Sequence, residues 1–164
     1  MSLSHEQSVL IREYLSPRAM AIVGASNAKD KFGNLVCREL KARGLRVFPV
    51  NPHESKICGK RCYHTINELG DLTDRLLIIL PPDVTRQLVR NLDPEFVSYV
   101  WMQNGAESAE AIQVCHAKGI KTIYGQCILM YAQPVRSYHL LHRWWTMAAH
   151  AQFSMVRLHS KGES

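Results

Sequence analysis

Gly24-Ala25-Ser26-Asn27 stands between an apolar run and a helical pattern. A glycine there lets the chain turn tightly, and the small Ala25 and Ser26 let a ligand approach the main chain. Backbone N–H groups, the Ser26 hydroxyl and the N-terminus of the following helix together suit a phosphate. Lys29 and Lys31 lie close by. The loop departs from the dinucleotide fingerprint G-x-G-x-x-G, because the next glycine, Gly33, comes nine residues on. Val50-Asn51-Pro52 closes the second apolar run. An NAD site places Asp or Glu there for the ribose hydroxyls. Asn51, with Arg46, His53 and Lys56 nearby, suits instead a nucleotide carrying an extra ribose phosphate, or simply an Asn-Pro turn. Leu80-Pro81-Pro82 offers a rigid floor after a third run. Trp101-Met102-Gln103-Asn104-Gly105 puts two side-chain amides after a fourth, and Cys127 follows a fifth by three residues.

Other chemistries lack their residues. The chain has no Gly-x-Ser-x-Gly elbow, no Walker loop and no His-Glu-x-x-His. Cys58-x3-Cys62 with His64 is half of a metal site, with Cys37 or His53 as the remaining candidates. That spacing does not follow the usual zinc patterns. The thiols are therefore read as packing residues, and no metal is expected.

The elements that must position these residues follow from periodicity and stop signals. Ser4 with Gln7 is a capping-box pattern, and Leu10, Ile11, Tyr14 and Leu15 share a helical face that ends before Pro17. Strands are expected over 18–24, 45–50, 75–80, 97–102 and 120–124. Helices are expected over about 32–43, 82–91 and 107–118. Residues 58–63 read as a short extended piece and 65–69 as a helical turn, while Pro49 is expected to loosen the second strand's ladder. Leu76-Leu77-Ile78-Ile79-Leu80 is apolar without alternation, as in a strand covered on both faces. The alternation of strands and helices predicts an α/β, Rossmann-like fold. It has about five parallel strands, helices on both faces and a ligand crevice beyond the strand ends.

The chain has 164 residues, enough for one domain with its own core. With 46% hydrophobic and 21% charged residues it is a globular composition, which excludes wholesale disorder. No apolar run is long enough for a transmembrane helix, the first residues lack the pattern of a secretory signal, and five scattered cysteines suggest no disulfide framework. A cytoplasmic setting is the expectation. The net charge is +6, and residues 27–62 alone supply a net +6 from nine cations against three acids. That concentration points to an anion site near one strand-to-helix turn.

Five motifs, Gly24-Ala25-Ser26, Phe32-Gly33, Val50-Asn51-Pro52, Gly59 to Tyr63 and Trp101 to Gly105, resemble in order and spacing the small stand-alone CoA-binding domain family. That family is similar to the N-terminal CoA-binding domain of succinyl-CoA synthetase α subunits. The resemblance covers about residues 15–130. It implies coenzyme A or acyl-CoA as ligand, with phosphate on Gly24, Ala25 and Ser26, a contact at Val50, Asn51 and Pro52, and phosphate cations from Lys31 and Lys56. Pro81, Asn104 and Cys127 complete the candidate site, and Cys127 is positioned to meet the thiol or acyl end of CoA. Leu80-Pro81-Pro82 looks more like the synthetase version than the charged pair of the stand-alone members, and the synthetase's phosphorylated histidine has no counterpart among the eight histidines. The resemblance therefore implies CoA binding without catalytic machinery. The alternatives are an NADP-dependent or acyl-CoA-using enzyme, and a basic interaction protein on a Rossmann-like scaffold.

The chain divides in this reading into a Rossmann-like CoA-binding domain, 1–130, and a C-terminal helical extension, 131–164. The extension holds Trp144, Trp145, four histidines and no acid before Glu163. Tyr138, Leu141, Trp145, Ala148 and Ala149 fall near one helical face, which predicts a homodimer contact in preference to nucleic acid or a membrane surface.

Overall fold

The computed structural model describes residues 5–132. Five short apolar segments pair in parallel: β1 (Ala19–Val23), β2 (Arg46–Val50), β5 (Arg75–Ile78), β6 (Tyr99–Gln103) and β7 (Lys121–Gln126). Two further strands, β3 (Lys56–Ile57) and β4 (Lys60–Arg61), form a small antiparallel hairpin. The main sheet has the order β2-β1-β5-β6-β7. The chain thus runs outward from β1 to β2, then returns past β1 to build the other half. The reversal places a topological switch point between the carboxyl ends of β1 and β5.

The apolar runs lack alternation because both sheet faces are covered. Ala21, Val23, Leu76, Ile78, Val100 and Met102 share a core with Val89, Leu92, Ala111 and Cys115. Those last four come from α3 (Pro82–Arg90), α4 (Ala109–Ala117) and the turn after α3. On the other face Trp101 is fully buried and packs edge-on against Tyr14 of α1 (His5–Leu15), with ring centroids 5.3 Å apart. The Trp101 Nε1–H donates to the Gln126 carbonyl at 3.0 Å, which satisfies the buried indole. The fourth helix, α2 (Phe32–Ala42), links β1 to β2. Among the described residues no helix is long and apolar enough to cross a membrane.

Two local expectations change. The ladder does not loosen at Pro49: the register runs Ile22 to Pro49 and Val23 to Val50. β2 is the outer strand, and the Pro49 carbonyl accepts from the Tyr63 N–H on the side away from β1, at 2.8 Å. In extended chain the nitrogen of the same residue faces the same side, so the missing N–H falls where no β1 partner needs it. The extended piece expected at 58–63 is the hairpin β3–β4, turning at Cys58-Gly59, and the expected turn at 65–69 is a 3-10 segment, Ile66–Leu72. The helix and dimer contact expected beyond Pro134 lie outside the described residues.

The core closes later than residue 130. Ile128, Leu129 and Ala132 are buried, and Arg43 holds them. Its Nη1 donates to the carbonyls of Leu129 and Ala132, both at 2.8 Å, and its Nη2 reaches Glu39 at 3.4 Å. Arg43→Met should lower stability by about 2–4 kcal/mol, because two buried carbonyls lose charged donors; the shift in urea midpoint measures it.

At the amino ends of the strands, Lys121 Nζ donates to Glu13 Oε2 at 2.8 Å and the Tyr99 hydroxyl donates to the same oxygen at 3.2 Å. The Arg75 guanidinium covers the Tyr99 ring at 4.3 Å. The hydrogen bonds from Lys121 and Tyr99 hold the Glu13 carboxyl below its ordinary 4.5. A depressed folded-state value contributes stability that is complete above the ordinary value and is lost as pH falls through the folded one. Glu13→Gln should therefore flatten part of the acid limb of a stability–pH curve while leaving the protein folded at neutral pH.

Candidate functional site at the strand ends

The turn after β1 is built from backbone that cannot carry side chains. Gly24 has φ +92°, and a Cβ there would lie 2.3 Å from the Ile79 carbonyl oxygen. Its N–H donates to the Val50 carbonyl at 3.3 Å, extending the β1–β2 pairing by one residue. Gly33 lies in the first turn of α2, where a Cβ would stand 2.3 Å from the Gly24 carbonyl oxygen. The second glycine thus supplies the close helix-to-strand packing of the dinucleotide pattern from nine residues away. The nine-residue separation of Gly24 and Gly33 departs from the fingerprint, so this role is hidden in the sequence.

Side-chain amides lock the rest of the loop. Asn51 Nδ2 donates to the Ala25 carbonyl at 2.9 Å, and Asn51 Oδ1 accepts from the His53 N–H at 2.9 Å. Asn34, almost fully buried, donates to the Ser26 carbonyl at 2.9 Å. The Ser26 hydroxyl accepts from the Ala28 N–H at 3.1 Å. Asn27 reaches the hairpin, donating to Glu54 Oε2 at 2.9 Å and to the Lys56 carbonyl at 2.7 Å. The carbonyl dipoles of Ala25 and Ser26 are drawn to neighbouring elements, which lowers the electrostatic penalty for an anion over the loop. Asn51 acts as a brace between the ends of β1 and β2, and it brings no negative charge to a ribose.

A cavity of about 1020 Å³ opens at the switch point. Val23 and Gly24 form one wall, Val50, Asn51, Pro52 and His53 another, and Leu80, Val84 and Leu88 a third. His64, Thr65, Ile66 and Asn67 close it from the segment after the hairpin. A parallel bridge between Val50 and Tyr63, with the Asn51 N–H donating to the Tyr63 carbonyl at 2.9 Å, brings that segment alongside. No local pattern in the sequence announces this contact.

The predicted site residues fall in three groups. Gly24, Val50, Asn51 and Pro52 line the cavity. Ala25 is buried and Ser26 half-buried in the loop beside it; Lys31 is the exposed cap of α2, Lys56 is exposed on the hairpin, and exposed Pro81 precedes α3. Asn104 and Cys127 lie at the ends of β6 and β7, exposed and half-buried respectively. β7 is three strand spacings from β1, about 14 Å. A ligand touching both groups must be long and extended. Gln103 turns away from the crevice, and its Oε1 accepts from the Ile128 N–H at 3.2 Å. Among the described residues no group of three or more His, Cys, Asp or Glu side chains converges as metal ligands.

The family model for the CoA binding domain matches residues 18–133. Acetate–CoA ligase (ADP-forming) II subunit alpha of Pyrococcus furiosus is 26% identical over 126 residues, covering 70% of this chain and 28% of that protein. The chain thus spans little more than a quarter of that relative. An uncharacterized Bacillus subtilis protein is 26% identical over 123 residues, covering 72% of this chain and 88% of its own length. Among solved structures, a conserved hypothetical protein of Pyrococcus furiosus has 34% identity and a TM-score of 0.64, over 68% of this chain and 96% of its own. A hypothetical protein of Pyrococcus horikoshii has 26% identity and a TM-score of 0.68, over 77% and 88% respectively.

The two glycines make a direct test of the loop's architecture. Gly33→Ala forces backbone apart at the Gly24 carbonyl and should destabilise by about 1–3 kcal/mol. Thermal unfolding of the variant measures it, and a midpoint equal to the parent's would mean that α2 does not sit this close to β1.

Proposed function

The chain belongs to the CoA-binding domain family, and on that premise we propose that it holds coenzyme A or an acyl-CoA across the strand ends without catalytic machinery of its own. The carrying observation is the loop at the switch point, closed by the Gly24–Gly33 contact and braced by Asn51 on the Ala25 carbonyl. The diphosphate sits over Gly24, Ala25 and Ser26, where the turn and the start of α2 present N–H groups. Lys31 and Lys56 are the cations toward the phosphates. The extended arm of the ligand runs toward Asn104 and Cys127, along the line of strand ends. CoA is long enough in chemical terms to span this row, since its thiol is separated from the diphosphate by a flexible amide chain.

The charge distribution supports a ligand with more than two phosphate charges. Of the nine cations over residues 27–62, Lys29, Lys31, Lys56, Lys60 and Arg61 are exposed, while Arg43 is spent on the Leu129 and Ala132 carbonyls. Asn51, in the place where an acid would receive ribose hydroxyls, speaks against NAD. The ligase relatives carry most of their length outside the matched region, so their reaction does not transfer to this chain.

Calorimetric titration tests the reading. CoA should bind about 10–100-fold more tightly than dephospho-CoA, the worth of one charge-assisted phosphate contact. Ser26→Trp should abolish binding of CoA with little change in thermal midpoint. Tighter binding of NADP than of CoA, or unchanged CoA affinity in Ser26→Trp, would overturn the assignment.

A further inference from the structure

The hairpin that follows β2 turns on a residue of the wrong type. Cys58 and Gly59 form the two-residue connection between β3 and β4, with φ +51° and +72°. Positive φ at both positions is the type I′ pattern, for which Asn-Gly, Asp-Gly or Gly-Gly is the favoured pair. A cysteine in left-handed backbone costs conformational energy that asparagine would largely avoid. Such a break with local preference marks positions held for another reason.

The side chain supplies that reason. Cys58 is half-buried and its thiol points onto α2, 4.0 Å from the Asn34 carbonyl. Cys37, buried one turn beyond Asn34 on α2, is the neighbouring thiol on that helix. Lys41 Nζ donates to the Cys58 carbonyl at 2.9 Å and fastens the turn to the same helix. The third thiol of the region, Cys62, lies 3.7 Å from the carbonyls of both Asn51 and Tyr63.

We propose that Cys37 and Cys58 are an oxidant-modifiable pair that closes to a disulfide with a peroxide as oxidant, fastening the hairpin to α2. The half-buried Cys58 sulfur attacks the peroxide first; one oxygen transfers to sulfur as sulfenic acid and water leaves. The Cys37 sulfur then attacks the Cys58 sulfur, the S–O bond breaks, and the departing hydroxide takes the Cys37 proton as a second water. Two thiols lose two electrons and two protons, and the peroxide is reduced to two waters. Burial, then the neighbouring Cys58, push the Cys37 thiol up to about 12. The consequence reaches the strand-end loop, because Asn27 ties that loop to the Lys56 carbonyl and to Glu54. A hairpin bonded to α2 fixes the loop from both sides, whichever ligand the loop holds.

The test uses the full-length reduced protein, stoichiometric hydrogen peroxide, alkylation of the remaining thiols, and peptide mapping without reductant. The expected product is one Cys37–Cys58 cross-link, reversed by dithiothreitol, with a thermal midpoint several degrees higher than that of the reduced protein. Cys58→Asn places the favoured residue in the turn. It should fold at least as well as the parent, form no cross-link and show no midpoint shift with peroxide. A cross-link through Cys62 or Cys127 instead would overturn the proposal. So would oxidation of Cys58 to sulfinic acid while Cys37 remains open to alkylation in the unfolded digest.

Discussion

Helix α2 meets the turn after β1 with no room for a side chain on either partner. The Gly24 carbonyl occupies the place of a Gly33 Cβ, and the Ile79 carbonyl occupies the place of a Gly24 Cβ. Three backbones therefore converge at one point: the end of β1, the start of α2 and the end of β5. Any added methyl must separate them. The depth of the crevice, the position of Asn34 beneath the Ser26 carbonyl and the closeness of β5 to the loop all follow from this contact. A phosphate-holding loop needs a rigid backbone with its polar groups already aimed, and close backbone packing supplies that rigidity without occupying the space above.

The two ends of the sheet divide the labour. At the amino ends, Glu13, Tyr99, Lys121 and Arg75 form a network that joins α1 to three strands. It is tied to stability. At the carboxyl ends, glycines, small residues and amides replace the large side chains. Asn51, Asn34 and Asn27 each spend their hydrogen bonds on holding a neighbouring segment.

The hairpin β3–β4 joins this arrangement as a movable-looking insertion that is in fact tethered at several points. Asn27 holds the Lys56 carbonyl, Lys41 holds the Cys58 carbonyl, and Tyr63 pairs with the edge of β2. Its strands are two residues each, too short to persist alone. Its position therefore depends on α2 and on the loop. This coupling makes a chemical event at Cys58 a structural event at the strand ends.

The parallel sheet, its covered faces and the loop at Gly24 are legible in residue order alone. Unbroken apolar runs such as Leu76 to Leu80 can be buried only between two layers, and strands alternating with helices must cross over in one hand. The basic surplus beside the first loop was equally legible, because charge is local in sequence there. Contacts between segments distant in sequence emerge only once the chain is folded. By position Asn51 suits an extra ribose phosphate or an Asn-Pro turn; the fold adds that its amide bonds the Ala25 carbonyl and the His53 N–H. Pro49 read as a weakness, yet its strand lies at the sheet's edge with the nitrogen turned outward. His64 and Thr65 reached the cavity wall only through the Val50–Tyr63 bridge. A periodic pattern reports which face a residue buries, because that is set within a few residues by backbone geometry. Which partner it meets is set by topology, and a side chain's hydrogen bonds are spent on whichever partner the fold brings within about 3 Å.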